Sequence, residues 1–316
     1  MYAVGIDIGG TKIAGALVDE AGNIIRENRV PTPAHDPDAI ADAVVELIRE
    51  LADGVEVIAA GVAAAGFVDA SRANIVYAPN LSWRNEPLKA KIQARIDIPV
   101  FIDNDANAAA WAEYRFGAGA EAKHVIMLTI GTGVGGAVIV NGQLLRGGFG
   151  IAAELGHVPL KGGDRLCGCG QYGCIEAYGS GTVLLRSARE LVESGDPAGS
   201  RLSAIAEEAG ELTGLQVYQA ITEHDPGALG LLRELGAALG KSVAGICAVL
   251  DPELVIIGGG VSAAGNLLLD PIRESYLKHL SAADYRPHAK FAIAQLVNDA
   301  GVVGAADLAR LELATQ

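Results

Sequence analysis

The segment Val4-Gly-Ile-Asp-Ile-Gly-Gly-Thr-Lys12, continuing through Ile13-Ala-Gly-Ala-Leu-Val18, decides how this chain is read. It has the pattern of a strand, a tight glycine turn and a returning strand, and Ala21-Gly22-Asn23 starts the next hairpin. The pattern recurs at Val125-Ile-Met-Leu-Thr-Ile-Gly-Thr-Gly-Val-Gly-Gly136, which runs on through Ala137-Val-Ile-Val140 to the turn Asn141-Gly142. Ile8-Gly9 aligns with Ile130-Gly131 and Gly15-Ala16 with Gly136-Ala137, with one residue of slippage inside the loop. An internally duplicated β-hairpin unit follows, and it predicts two similar domains facing each other. A third glycine turn, Leu254-Val-Ile-Ile-Gly-Gly-Gly-Val261, ends a buried strand.

Helices and strands alternate between these turns. Pro37 to Asp53 reads as a helix with Ile40, Val44, Leu47, Ile48 and Leu51 on one face. Val55 to Val62 and Ile98 to Ile102 read as strands, and Asp105 to Phe116 as a helix that stops at Gly117. Residues 181 to 240 are mostly helical. Ala228, Leu231, Leu232, Leu235, Ala238, Leu239, Val243, Ile246 and Val249 keep one apolar face until Asp251-Pro252 stops it. Such alternation predicts α/β layers. The expected division is a smaller N-terminal domain over 1–117 and a larger one over 118–299, with a C-terminal helix at about 300–316 packing back on the first.

At 316 residues the chain is long enough for two cores. Its net charge of −14, with no cluster of Lys or Arg, argues against a nucleic-acid surface. No apolar run approaches the ~20 residues needed to cross a bilayer. The start, Met-Tyr-Ala-Val-Gly-Ile-Asp, has neither a basic n-region nor a long apolar stretch, so a cytoplasmic protein is expected.

Glycine hairpins of this kind suggest phosphate binding. Successive N–H groups form anion-holding nests, and the missing side chains let a phosphate approach. Asp7 is placed to hold a hydrated Mg²⁺, and Lys12 to neutralise a terminal phosphate. None of the three loops is a Walker A or a Rossmann fingerprint in its usual context, and a lone glycine turn often only closes a hairpin.

Three of the four cysteines fall in Cys167-Gly168-Cys169-Gly170-Gln171-Tyr172-Gly173-Cys174-Ile175-Glu176, shortly after Glu154-Leu155-Gly156-His157. Cys167, Cys169, Cys174 and His157 make a Cys₃His set suited to structural zinc. The alternatives are free core thiols or a disulfide. A Cys167–Cys169 bridge would be badly strained, and pairing either with Cys174 leaves an odd thiol. Cys247 reads as a buried helix residue.

The last chemical element is Phe101-Ile-Asp-Asn-Asp-Ala-Asn107 at a strand end. Asn104 or Asp105 fits a helix N-cap there. The other reading is a carboxylate that accepts a hydroxyl proton while its neighbours hold a sugar.

The chain resembles the sugar kinases of the repressor, open reading frame, kinase (ROK) family over essentially its whole length, and most closely their actinobacterial-type glucokinase branch. The resemblance rests on Asp7–Lys12, Asp103-Asn104-Asp105, Gly131–Gly136, Glu154-x-Gly-His157, the cysteine motif at 167–176 and Gly258-Gly-Gly260. It implies the actin-like ATPase (ribonuclease H-like) fold, a homodimer, and ATP with Mg²⁺ in a cleft between the domains. Transfer of the γ-phosphoryl group to the 6-hydroxyl of glucose is the implied activity. The runners-up are a kinase for mannose or N-acetylmannosamine and one that uses polyphosphate. Asp105 is then the catalytic base. Asn80, Asn104, Asp105, Glu154, His157 and Glu176 bind the sugar. Asp7, Gly9, Gly10, Thr11, Lys12, Gly131, Thr132, Gly133, Gly135, Gly258, Gly259 and Gly260 hold the nucleotide. His157, Cys167, Cys169 and Cys174 bind zinc. DNA-binding relatives carry a helix-turn-helix ahead of the first glycine loop, and Asp7 already lies in that loop.

Overall fold

Short glycine turns between β-branched runs give two sheets with the same strand order. The computed structural model describes residues 1–78 and 81–315, so the expected sugar ligand Asn80 lies outside the described residues. The chain forms two units. Unit 1 is Met1–Lys123, Ala137–Ala153 and Gln295–Gln316, and unit 2 is His124–Gly136 and Glu154–Ala294.

In unit 1, β1 (Tyr2–Ile8), β2 (Lys12–Val18) and β3 (Ile24–Pro31) form an antiparallel meander. Helix α1 (Pro37–Ala52) leads to β4 (Val57–Ala64), which runs parallel to β1. A small sheet of β5 (Phe67–Val68), β6 (Ile75–Tyr77) and β7 (Arg84–Glu86) follows, then α2 (Leu88–Gln93). Strand β8 (Val100–Asn104), parallel to β4, runs straight into α3 (Asp105–Phe116). The main sheet order is β3-β2-β1-β4-β8.

The second sheet contains β9 (Val125–Ile130), β10 (Val134–Val140) and β11 (Gln143–Leu144). Helices α4 (Glu176–Gly179), α5 (Gly181–Glu193), α6 (Ser200–Ala209), α7 (Gly214–Thr222) and α8 (Pro226–Leu250) come before β12 (Leu254–Gly258). Helix α9 (Asn266–His279), β13 (Lys290–Ile293) and α10 (Ala300–Ala314) complete the chain. The order β11-β10-β9-β12-β13 repeats that of the first sheet strand for strand, with β12 parallel to both β9 and β13. The matched hairpins seen in the sequence are therefore the first two strands of two sheets with one topology.

Local chemistry accounts for the helix ends. Asp36 caps α1 by accepting from the N–H groups of Asp38 and Ala39, Pro37 occupies the first turn, and Ile40, Val44, Leu47, Ile48 and Leu51 are buried. Burying a side chain of this size stabilises by about 1.5–3 kcal/mol before the entropy of ordering it is subtracted. On α8 the expected apolar face holds as far as Ile246 and Cys247, but Val249 in the last turn is 82% exposed. The helix stops immediately after it, where Asp251 turns left-handed at φ 43° ahead of Pro252.

Helix α10 sits on the unit 1 sheet at a distance only glycine allows. A Cβ on Gly5 would lie 1.8 Å from the Val302 carbonyl oxygen, and one on Gly61 would lie 1.8 Å from that of Ala305. On the helix itself, Gly304 is pressed equally hard against the Ala108 carbonyl of α3. Residues Ala137–Ala153, read from the sequence as part of the larger domain, group with unit 1. The Gly142 N–H donates to Lys123 O at 3.0 Å, and Arg146 is bonded to Asp103.

Candidate functional site

In unit 1, the end of β8 presents Asp103, Asn104 and Asp105 where the strand gives way to α3. Asn104 is the N-cap, its Oδ1 accepting from the Asn107 N–H at 3.1 Å, so the capping reading holds for that residue. Its Nδ2 donates to Asp105 Oδ1 (3.0 Å) and to the Gly66 carbonyl (3.1 Å). The Ala106 N–H also donates to Asp105 Oδ1, at 2.9 Å. One carboxylate oxygen of Asp105 is thereby pinned, and Oδ2 has no side-chain partner among the described residues. Burial raises the Asp105 pKa against the lowering effect of those N–H groups, which makes it a stronger base than an ordinary aspartate. Asp103 is buried and accepts from Arg146 and from Asn107 Nδ2 (2.9 Å), so it holds the strand end in place.

The first glycine turn also belongs to unit 1. The Gly9 N–H bonds Lys12 O at 3.0 Å, the Thr32 hydroxyl bonds Gly9 O at 2.8 Å, and Thr11 and Lys12 are exposed. Asp7, on β1 just before the turn, is pushed up to about 7 by burial, with Asp105 adding to the shift and Lys12 opposing it. A carboxylate raised both by burial and by a second acid of the same unit marks a site where a cation is welcome.

Unit 2 carries the other two glycine turns. The loop after β9 is sewn to the start of α5, with the Gly181 N–H donating to Gly131 O (2.7 Å) and the Thr182 hydroxyl to Thr132 O (2.7 Å). A cavity of 540 Å³ opens there, within the usual range for a small-molecule site. Gly131, Thr132, Gly181, Thr182 and Gly260 give it a backbone-rich floor, and Leu215, Tyr218 and Val261 are among its apolar walls. The expected glycines divide by role. Cβ atoms on Gly131 or Gly260 would meet open space, so these two face the cavity. Gly259 has φ +80°, and a Cβ on it would lie 2.5 Å from the Ile130 backbone, while one on Gly258 would lie 2.7 Å from Met127 Cε. Gly133 lies against Glu176, and Gly135 is inside β10. Sequence reading missed Thr182, Leu215 and Tyr218. Only the Thr182 position, just inside a helix after a capping Ser180, gave any signal.

The cysteine motif folds back on itself through positive-φ turns at Gly170 and Gly173, with the Cys167 N–H bonded to Gln171 O at 2.8 Å. The ligand atoms of His157, Cys167, Cys169 and Cys174 all lie within 4.8 Å of one another. Cys169 and Cys174 sulfurs are 3.6 Å apart, and Cys167 Sγ is 3.8 Å from His157 Nδ1. A tetrahedral zinc with Zn–S of ~2.3 Å requires ligand edges of roughly 3.6–3.8 Å, so the four residues fit that ion. Burial pushes the Cys167 thiol up to about 12 and raises Cys174, whereas the Gln171 backbone N–H lowers Cys169. Buried thiols of this kind ionise when a cation supplies the counter-charge. Nδ1 of His157 faces the sulfurs, which leaves its Nε2 for another partner. Both oxygens of Glu176, expected on the sugar, are engaged inside unit 2: Oε1 lies 3.4 Å from Cys167 Sγ, and Oε2 accepts from the Val134 N–H at 3.0 Å.

The sequence profile of the ROK family matches residues 3–312. The chain belongs to the ROK family. A glucokinase of Streptomyces coelicolor is 45% identical over 308 residues, which cover 97% of this chain and 97% of the relative. A glucokinase of Halalkalibacterium halodurans is 38% identical over 96% of this chain and 93% of its own. Among solved structures, a ROK family glucokinase from Streptomyces griseus in complex with glucose and AMPPNP superposes with a TM-score of 0.88. It is 44% identical and is matched over 98% of this chain and 100% of that one. The fold is the actin-like ATPase fold of ROK kinases, as the resemblance implied. Among the described residues no helix is long and apolar enough to cross a membrane.

Proposed function

We propose that this chain transfers the γ-phosphoryl group of ATP to the 6-hydroxyl of glucose. The observation that carries the reading is Asp105, with one oxygen pinned by Asn104 and Ala106 and its proton affinity raised by burial. The similarity to a ROK glucokinase holding glucose and AMPPNP supports the choice of substrates.

Phosphoryl transfer asks the protein mainly for alignment and charge neutralisation. Asp105 Oδ2 orients the sugar hydroxyl and takes its proton late, as the bond to phosphorus forms, so no free alkoxide is needed. Asn80, Asn104, Glu154 and His157 Nε2 meet the remaining hydroxyls, and selectivity comes from the polar groups a wrong sugar leaves unpaired. The adenosine lies in the unit 2 cavity against Leu215 and Tyr218, and its phosphates lie toward the Gly131 loop and the N-terminus of α5. Asp7 is the residue suited to hold Mg²⁺, which neutralises charge on the phosphates. Zinc at the Cys₃His set is structural, since four protein ligands leave no open position.

A homodimer, the state the ROK resemblance implies, and the cytoplasmic setting expected from the N-terminal sequence belong to the same reading, and sedimentation velocity tests the homodimer. The activity is tested by offering a panel of hexoses with ATP, GTP or polyphosphate and following sugar-phosphate formation. Glucose with ATP is expected to give the highest kcat/KM. A stronger preference for another hexose or for polyphosphate overturns the assignment.

A further inference from the structure

The backbone of Val134, in the middle of the second glycine loop, is gripped on its N–H and on its C=O by the turns that bear the cysteine and histidine ligands. Its N–H donates to Glu176 Oε2 at 3.0 Å, and Glu176 follows the Cys167–Cys174 turn directly. Its carbonyl lies against Gly156, the neighbour of His157, so tightly that a Cβ there would be 1.9 Å from the oxygen. Gly133 completes the contact: a Cβ on it would meet Glu176 Oε2 at 2.2 Å. The other oxygen of Glu176 lies 3.4 Å from Cys167 Sγ. From Glu176 the chain continues through α4 to the Gly181 N–H, which bonds Gly131 O at 2.7 Å.

We infer that Glu176 is a positioning residue for the Gly131–Gly136 loop, clamping the Val134 backbone together with Gly156, so that the Cys₃His cluster sets the nucleotide loop. A carboxylate accepting a backbone N–H makes a charge-assisted bond that fixes the peptide plane. Removing it leaves a buried N–H unpaired and frees the loop to rotate. The four ligands come from the two turns that flank Val134, so holding the ligands together holds the clamp closed. Glu176 thereby acts on the phosphate side of the reaction, through the loop, rather than on the sugar alone.

The inference rests on the nucleotide-binding reading of the loop, but its first test needs no nucleotide. Hydrogen exchange is followed over 131–136 in full-length zinc-loaded protein, in wild type, Glu176→Ala, Glu176→Gln and Gly133→Ala. Glu176→Ala is expected to speed exchange at Val134 and its neighbours, and Glu176→Gln, whose carbonyl still accepts the N–H, to restore most of the protection. Gly133→Ala displaces the carboxylate from the other side and should speed exchange likewise. On the Glu176→Ala background it should add nothing, because the clash is gone. AMPPNP affinity, measured by calorimetry without sugar, should weaken about tenfold in Glu176→Ala. Zinc removal by chelation should speed loop exchange in wild type. If Glu176→Ala fails to fold, Gly133→Ala and chelated wild type carry the test. Unchanged loop exchange with lost glucose binding makes Glu176 a sugar ligand only and overturns the proposal. Altered exchange in a protein that binds no AMPPNP leaves the clamp standing and overturns the nucleotide reading instead.

Discussion

Arg146 donates two hydrogen bonds to a single oxygen of Asp103, from Nε at 2.9 Å and from Nη2 at 2.6 Å. Asp103 is buried at the end of β8, and its other oxygen takes the Asn104 N–H and the Asn107 side chain. The pair lies two residues from Asp105, and a buried charge with every lone pair used is well placed to fix a backbone. Asn104 and Asp105 are consequently presented from a rigid strand end, as a positioned base requires.

Asp105→Asn keeps the side-chain shape and an acceptor for the Ala106 N–H, but it removes the base. We expect kcat for glucose phosphorylation to fall by about 10²–10⁴ while glucose affinity changes little. Steady-state kinetics with a glucose titration checks both, and wild-type turnover in the variant would end the assignment.

Asp7 gives the metal-free protein a pH signature. Its pKa is raised from 3.8 to about 7, chiefly by burial. Between those values the native state holds a proton that the unfolded state has lost. Its contribution to stability is therefore fully present below about pH 4 and disappears as pH rises to about 7. Asp7→Asn should flatten this decline in urea midpoints recorded from pH 4 to 8. Equal slopes in the two proteins would show that Asp7 titrates normally.

The glycines of unit 2 should separate into two classes. Gly131→Val points a side chain into the open cavity and is expected to raise KM for ATP several-fold or more, with little loss of melting temperature. Gly259→Val forces a β-branched residue into φ +80° against the Ile130 backbone, so it should lower the melting temperature by several degrees before any nucleotide effect is seen. Differential scanning fluorimetry beside ATP kinetics distinguishes them.

Cys169→Ala removes an exposed ligand and leaves the buried Cys167 and Cys174 in place. Zinc content is expected to drop from one per chain to near zero, with weaker glucose binding and easier proteolysis over 150–180. Metal analysis and glucose calorimetry on the same preparation form the test. A metal-free wild type with full glucose affinity contradicts it.

Much of the site was legible because its chemistry is local. The Asp103–Asn107 run carries its own cap and its own base, since Asn104 and Asp105 are adjacent residues at one strand end. The Cys₃His set was readable from residue type, because few other arrangements use three close thiols and one imidazole in a reduced setting. The cavity walls were not legible. Leu215 and Tyr218 on α7 look like ordinary apolar helix positions, and only their placement beside the Gly131 loop gives them a role.

What the sequence by itself determined is the duplicated hairpin, hence two sheets of one topology, together with the types of residue available for chemistry. Those follow from period and turn chemistry, which act over a few neighbouring residues. Tertiary structure alone decided what each glycine is for. Gly131 and Gly260 face a cavity, Gly259 and Gly133 are pressed against Ile130 and Glu176, and Gly5 and Gly61 admit α10. A missing Cβ reads the same in the sequence whether it makes room for a ligand, a carboxylate or a helix. What occupies that room is set by packing between segments far apart in the chain, and close packing leaves space for only one of them.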